Sequence, residues 1–296
     1  MTLDTQLGRG ELQHRIDEYL DALVLRDPSR LVLAPSFRLT ENGQALDLGD
    51  GLWATASGRG RYRHYVLDPQ SGQAAFVGVL SENGRPVILA VRLRLEAGRI
   101  AEAEMIVSRE DILAYRGGAQ ALEAMGEPAP IWNAPAPAAG RATREELVAT
   151  AQAYFAALER SDGTRTAPFE PGCRRLDNGI FATQNPALDA PGAAPLYALG
   201  PAEQLRLGYF VFVTAIRERR CPVIDEERGV VFSLPLLDHA GTIHEARLTD
   251  GRVVPIRVVQ PFSWQIAELF KVRAGRIAQI EVVLNKAPYR MGSNWA

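Results

Sequence analysis

Residues 98–107 read GRIAEAEMIV, and residues 275–284 read GRIAQIEVVL. A Gly-led turn followed by half-apolar alternation predicts a hairpin strand in both places. The recurrence constrains the fold because neighbouring segments recur in the same order. ELQHRIDEYLDALVLRD (residues 11–27) puts Leu12, Ile16, Tyr19, Leu20, Leu23 and Val24 on one helical face. TREELVATAQAYFAALERSD (143–162) does the same with Leu147, Ala151, Tyr154, Phe155 and Leu158, and opens with a Thr143/Glu146 capping box. SFRLTENG (36–43) then matches GCRRLDNG (172–179), and YVLDPQSGQAAF (65–76) matches PVIDEERGVVF (222–232). The chain therefore reads as a tandem duplication. The first repeat covers 1–116, the second 143–296, and the Ala/Pro/Gly-rich stretch 117–142 is a partly extended linker packed through Ile131 and Trp132.

The copies are not the same length. The spacing between matched residues widens by about 20 positions between Asn42/Asn178 and Asp68/Asp225, and again before Gly98/Gly275. The second repeat thus carries two insertions, near 185–200 and 237–255. Insertions go to loops, and long loops over a rigid scaffold often carry function.

Each repeat reads as a helix, a short strand, a variable region and a run of antiparallel strands, which is an α+β pattern. A formal net charge of −2 with scattered Arg and Lys gives no basic footprint for nucleic acid. The start, MTLDTQLGRGELQ, has no secretory pattern, and the longest apolar run, YFVFVTAI (209–216), is far short of the roughly 20 residues that span a bilayer. A cytoplasmic protein without membrane contact is expected. Cys173 and Cys221 make neither a metal spacing nor a disulfide framework. GRGRYR (58–63) lacks the Lys-Ser/Thr and following helix of a phosphate loop, and no cofactor fingerprint stands out, so none is expected.

The helix phrases YLDALVLRD and YFAALERSD, with the closing FKVRAGRIAQIE, resemble the nuclear-transport-factor-2-like cone fold of ketosteroid isomerases, SnoaL-type cyclases and scytalone dehydratase. The resemblance implies two tandem cones, each a curved antiparallel sheet wrapped around N-terminal helices, paired sheet on sheet as a pseudo-dimer. A homo-oligomer of whole chains is compatible with it. The tail PYRMGSNW (288–295) is similar to the ending of a bacterial tandem family of this fold. In this superfamily the cone encloses an apolar pocket for a hydrophobic or aromatic small molecule.

Carried over residue by residue, the ketosteroid isomerase set gives Tyr154 as the helix tyrosine, Asp177 as the base and Glu268 as the strand acid. In those isomerases the strand acid is kept neutral beside the tyrosine, so that it donates to an oxyanion; for this chain that role is implied by the resemblance alone. The first repeat keeps Tyr19 and Glu41 but has Val91 in the place of Glu268. It has its own polar set in Tyr62, His64, Tyr65 and Asp68, where His64 is the natural proton carrier near neutral pH. Trp53, Trp264, Tyr62, Asn178 and Tyr209 are candidate substrate contacts. Each has a structural alternative: core packing for the helix tyrosines, turn-making for Asn178 and Asp68, solvation for His64. A metal site from His239, His244 and Asp238 or Glu245 is a weak alternative. The expected function is a cofactor-independent acid–base enzyme (lyase, dehydratase or isomerase) with one repeat catalytic and the other its built-in partner. The competing reading is a binding module without turnover.

Overall fold

The computed structural model describes residues 7–109, 116–189 and 194–295; residues 1–6, 110–115, 190–193 and 296 lie outside it, taking with them the ends of the expected first repeat and part of the first insertion. The chain is a mixed α+β protein with two six-stranded sheets. In the N-terminal half, α1 (Arg9–Leu25) leads into β1 (Leu33–Glu41), β2 (Gln44–Ala45), the single turn α2 (Leu52–Thr55), β3 (Ala56–Asp68), β4 (Gln73–Glu82), β5 (Arg85–Glu96) and β6 (Arg99–Ser108). Two short helices follow, α3 (Gly118–Met125) and α4 (Pro130–Asn133). The C-terminal half runs α5 (Arg144–Arg160), β7 (Phe169–Asp177), β8 (Ile180–Phe181), α6 (Pro201–Arg206), β9 (Ala215–Asp225), β10 (Val230–His239), the small hairpin β11 (Glu245–Arg247) and β12 (Val253–Pro255), then β13 (Phe262–Arg273) and β14 (Arg276–Ala287).

The two sheets share one strand order, β2-β1-β6-β5-β4-β3 and β8-β7-β14-β13-β10-β9. Both close on the same two-residue turn, Ala97-Gly98 and Ala274-Gly275, with positive φ at both residues, the geometry that lets a tight hairpin follow the strand twist. One expectation is corrected. The sheets are mixed rather than antiparallel, because β1 runs parallel to β6 and β7 parallel to β14. The sequence shows hairpins among the later strands; β1 and β7 are fed by helices, and no tight turn forces them antiparallel to the last strand.

Each long helix covers one face of its own sheet. Leu12, Ile16, Tyr19, Leu20 and Leu23 bury against the first sheet, and Leu147, Ala151, Tyr154, Phe155 and Leu158 against the second. Both helix starts are boxed: the Gly8 N–H donates to Glu11 and the Thr143 N–H to Glu146, at 2.6 and 2.8 Å. The opposite sheet faces pack on each other through a third core, where Tyr62, Val77, Ile88 and Ile106 meet Phe232, Leu234, Leu269 and Val283. Period two along each strand divides these faces, so β13 sends Trp264, Ile266 and Phe270 to the helix side and Ala267 and Leu269 to the inter-sheet side.

The inter-sheet contacts come in exchanged pairs. Arg9, the first residue of α1, holds Asp225 at the end of β9, while Arg144, the first residue of α5, holds Asp68 at the end of β3. Asp68 also accepts the Ile224 N–H and Asp225 the Leu67 N–H. Residue i meeting j′ while j meets i′ is the pattern of a two-fold interface, here within one chain. The segment between the halves begins as helix, which the linker reading does not assign. GAQALEAM is made of good helix formers and becomes α3, whose Leu122 joins the inter-sheet core with Trp132 of α4.

Gly118 opens α3 against the β7–β8 turn, where an added Cβ would collide with the Asn178 carbonyl. Backbone on both sides cannot yield. Gly118→Ala is therefore expected to displace α3 and lower stability by about 1–3 kcal/mol, read as a shifted urea midpoint; an unchanged midpoint would show that α3 contributes nothing.

Candidate functional site

Under the helix-side face of the second sheet lies a cavity of about 1150 Å³. Its floor comes from regular elements. Tyr154 descends from α5, Arg175 and Asp177 from β7, and Trp264, Ile266 and Glu268 from β13, with Val282 and Leu284 of β14 between them. The two sequence insertions make its roof. Leu196 of the first packs with Ala246, Leu248 and Val254 of the second and with Ile256 just after it in a separate apolar cluster, and both segments line the cavity. In the first sheet the corresponding connection is the two-residue Asn83-Gly84 turn between β4 and β5.

Strand register fixes the polar floor. Asp177 and Glu268 both pair with Val282, one from each side, so they flank a single rung of β14. Arg175 stands two residues before Asp177, on the same face, and its Nε lies 3.1 and 3.2 Å from the two Asp177 carboxylate oxygens. Arg175 also hydrogen-bonds the Tyr154 hydroxyl, which in turn hydrogen-bonds Glu268. Burial pushes the Glu268 carboxyl up to about 8; the charge of Asp177 pushes the same way, and Arg175 and the Tyr154 hydroxyl pull back. The site therefore holds a carboxylic acid that keeps its proton at neutral pH, 2 % exposed, next to an ion-paired carboxylate. Burial also raises Tyr154 well above the ordinary phenol range, so it stays a hydroxyl donor.

The walls are aromatic. His239 stacks on Phe262 at 4.8 Å with planes 7° apart and meets Trp264 edge-on. Burial brings His239 down to about 4, so the ring is neutral. Its Nδ1–H donates to the Leu237 carbonyl at 3.3 Å, which leaves Nε2 as the acceptor nitrogen. The weak metal alternative gathers no ligand set: Asp238 faces away, bound by Arg217 and Ser263, and among the described residues no group of three His, Cys, Asp or Glu could hold an ion.

The structure brings together Tyr154, Asp177, Glu268, Trp264 and Tyr209. It gives the other candidates different work. Asn178 takes a positive φ and its side-chain amide bridges the Leu284 backbone, N–H and carbonyl, at 2.8 and 3.1 Å. Asn42 does the same for Val107. Tyr19 accepts from Trp53 Nε1 at 3.0 Å and reaches Met105 Sδ, all within the first core. Tyr62 and His64 lie between the sheets, on Glu281, at 2.9 and 2.7 Å. Asp68 is the inter-half ion pair and accepts the Ser71 N–H in its own turn. Trp295 crosses to the first sheet, donating to Thr40 Oγ1 at 2.8 Å.

The first half shows what the same frame looks like without the floor. The rung equivalent to Asp177–Val282–Glu268 is Glu41–Met105–Val91, and Leu39 takes the place of Arg175. The Glu41 carboxylate turns to the Leu52 N–H and to Arg109, both at 2.7 Å. The polar floor is thus built only in the C-terminal half among the described residues. Sequence reasoning missed Arg175, Tyr197 and Arg257 and weighed His239 as a metal ligand alone; the Arg-x-Asp spacing on a strand was the available signal for Arg175.

A family model described as a domain of unknown function (DUF8021) matches residues 140–284, a span that contains every floor residue. No curated protein matches the chain.

Proposed function

We propose that the C-terminal half is a cofactor-independent acid–base enzyme, a lyase or isomerase, acting on a hydrophobic or aromatic small molecule. On this reading the chain is a tandem pair of nuclear-transport-factor-2-like cones in which the first serves as built-in dimer partner. The observation that carries the reading is the floor itself. A proton-bearing Glu268 and an ion-paired Asp177 flank one rung, beside Tyr154, at the base of a mainly apolar cavity.

The roles follow from environment. A carbonyl oxygen entering between Tyr154 and Glu268 replaces their mutual hydrogen bond and accepts from both O–H groups. As a proton leaves the neighbouring carbon, the charge that develops on that oxygen is stabilised by two donors already in place. Asp177 receives the proton. Returning it to another carbon is an isomerisation; returning it to a departing hydroxyl is a dehydration. Arg175 orients both Tyr154 and Asp177, and His239 with Phe262 and Trp264 supplies a flat wall.

Exchange chemistry tests this without the natural substrate. Aryl and polycyclic ketones incubated with the protein in D₂O are expected to take up deuterium at the α-carbon, followed by NMR. Asp177→Asn is expected to slow uptake by about 10²–10⁴-fold. Ligands that bind the cavity but exchange no faster than with Asp177→Asn would leave a binding module in place of an enzyme.

A further inference from the structure

The proposed reaction leaves one charge of the cavity wall unused. The floor is internally balanced: Arg175 is paired with Asp177, and Glu268 carries its proton. At the mouth, Arg252 is held by Asp250 at 2.6 Å. Asp189 turns both carboxylate oxygens to backbone, accepting the Tyr197 and Ala198 N–H groups at 2.9 and 3.0 Å. Arg257 differs from all of these. It lines the cavity from the stretch just after the second insertion and, among the described residues, has neither an ion pair nor a hydrogen bond.

Its surroundings are those of a binding group. Tyr197 and Tyr209, both cavity-lining, are pushed up by burial; Arg175 and more weakly Arg257 pull Tyr197 back against Asp177 and Asp189, and Arg257 pulls Tyr209 back, so the guanidinium lies within the field of two phenol hydroxyls. Lys286 stands 4.5 Å over the Phe262 ring and adds positive charge behind His239. The gradient runs one way: aromatic wall and neutral acid at the base, both nearly fully buried, and an exposed cation at the rim.

Resting on the acid–base reading above, we infer that the substrate is an amphiphilic acid, an aromatic or polycyclic body carrying a carboxylate, and that Arg257 with the Tyr197 and Tyr209 hydroxyls takes that carboxylate at the cavity mouth. The body lies along His239, Phe262 and Trp264, and the reacting carbon sits over the floor. A guanidinium suits the task because its planar fork meets a carboxylate through two N–H groups.

Matched ligand pairs test the assignment. A panel of aryl and polycyclic carboxylic acids and their primary amides, equal in shape but neutral, is titrated calorimetrically against the full chain, Arg257→Gln and Arg257→Lys. The acids are expected to bind about tenfold tighter than the amides, with the gap shrinking as salt rises. Arg257→Gln is expected to remove most of that gap without moving the amides, and Arg257→Lys to restore part of it. Equal binding of acids and amides, an unchanged gap in Arg257→Gln, or no binding by any acid would each overturn the inference. Acid preference without deuterium exchange would overturn the catalytic reading alone, so the two failures are distinguishable.

Discussion

Glu268→Val, which gives the second half the residue that the first half has at this rung, is expected to slow exchange by about 10²–10³-fold while making the protein more stable in alkali. The activity loss follows from removing one of two donors aimed at the developing oxyanion, with Tyr154 left in place. Stability moves the other way because of proton linkage. The folded Glu268 holds its proton up to about 8, against an ordinary value of 4.5. A carboxyl raised in the folded state lends its full contribution below pH 4.5, loses it progressively as pH climbs to about 8, and adds no further change above that. Wild type should therefore weaken across this window relative to Glu268→Val, which has nothing to ionise. Glu268→Gln separates donor from acid. It keeps an N–H donor and so retains part of the rate, but its profile should lack the fall in rate that wild type shows as pH rises through about 8. Urea melts at pH 6 and pH 9 with exchange rates over the same range check both arms; a wild-type rate indifferent to pH across 8 would remove Glu268 as the acid.

Much of this is legible in the residues. The ordered near-repeats predict two copies of one element order, and the structure shows two sheets of one strand order. Alternation along WQIAELFKV puts Glu268 on the face of Phe270, where the cavity floor lies. Spacing also locates both insertions, though not their meeting as one roof, since an apolar loop names no partner. His64 and Asp68 are misplaced for the same reason. A sequence displays the polarity of a residue, but the groups that satisfy it lie 217 and 76 positions away, on Glu281 and Arg144. Two halves that exchange contacts make buried polar groups look catalytic when they are interfacial.

Between the sheets, His64→Leu is expected to cost about 3–5 kcal/mol, the largest stability loss among these variants. The Glu281 carboxylate, 2 % exposed, is held by His64 Nδ1 on one oxygen and by the Tyr62 hydroxyl on the other. Leucine leaves that carboxylate buried with half its partners. His64→Leu/Glu281→Leu should recover part of the loss, because the uncompensated buried carboxylate is gone although the Tyr62 hydroxyl loses its acceptor. The two-fold relation supplies an internal control. Arg220 on β9 pairs with Glu104 on β6 in the equivalent position, but Glu104 also keeps Arg92 at 3.1 Å. Arg220→Leu should therefore cost clearly less than His64→Leu. Urea denaturation of wild type and these three variants decides it, and equal losses at the two positions would show that the pairs are not what joins the halves. The functional consequence runs through β14. Glu281 faces the first half, while the next residue, Val282, carries the rung flanked by Asp177 and Glu268. A strand anchored on one face by the first half positions the floor on its other face, so His64→Leu should also slow exchange although His64 never touches the cavity.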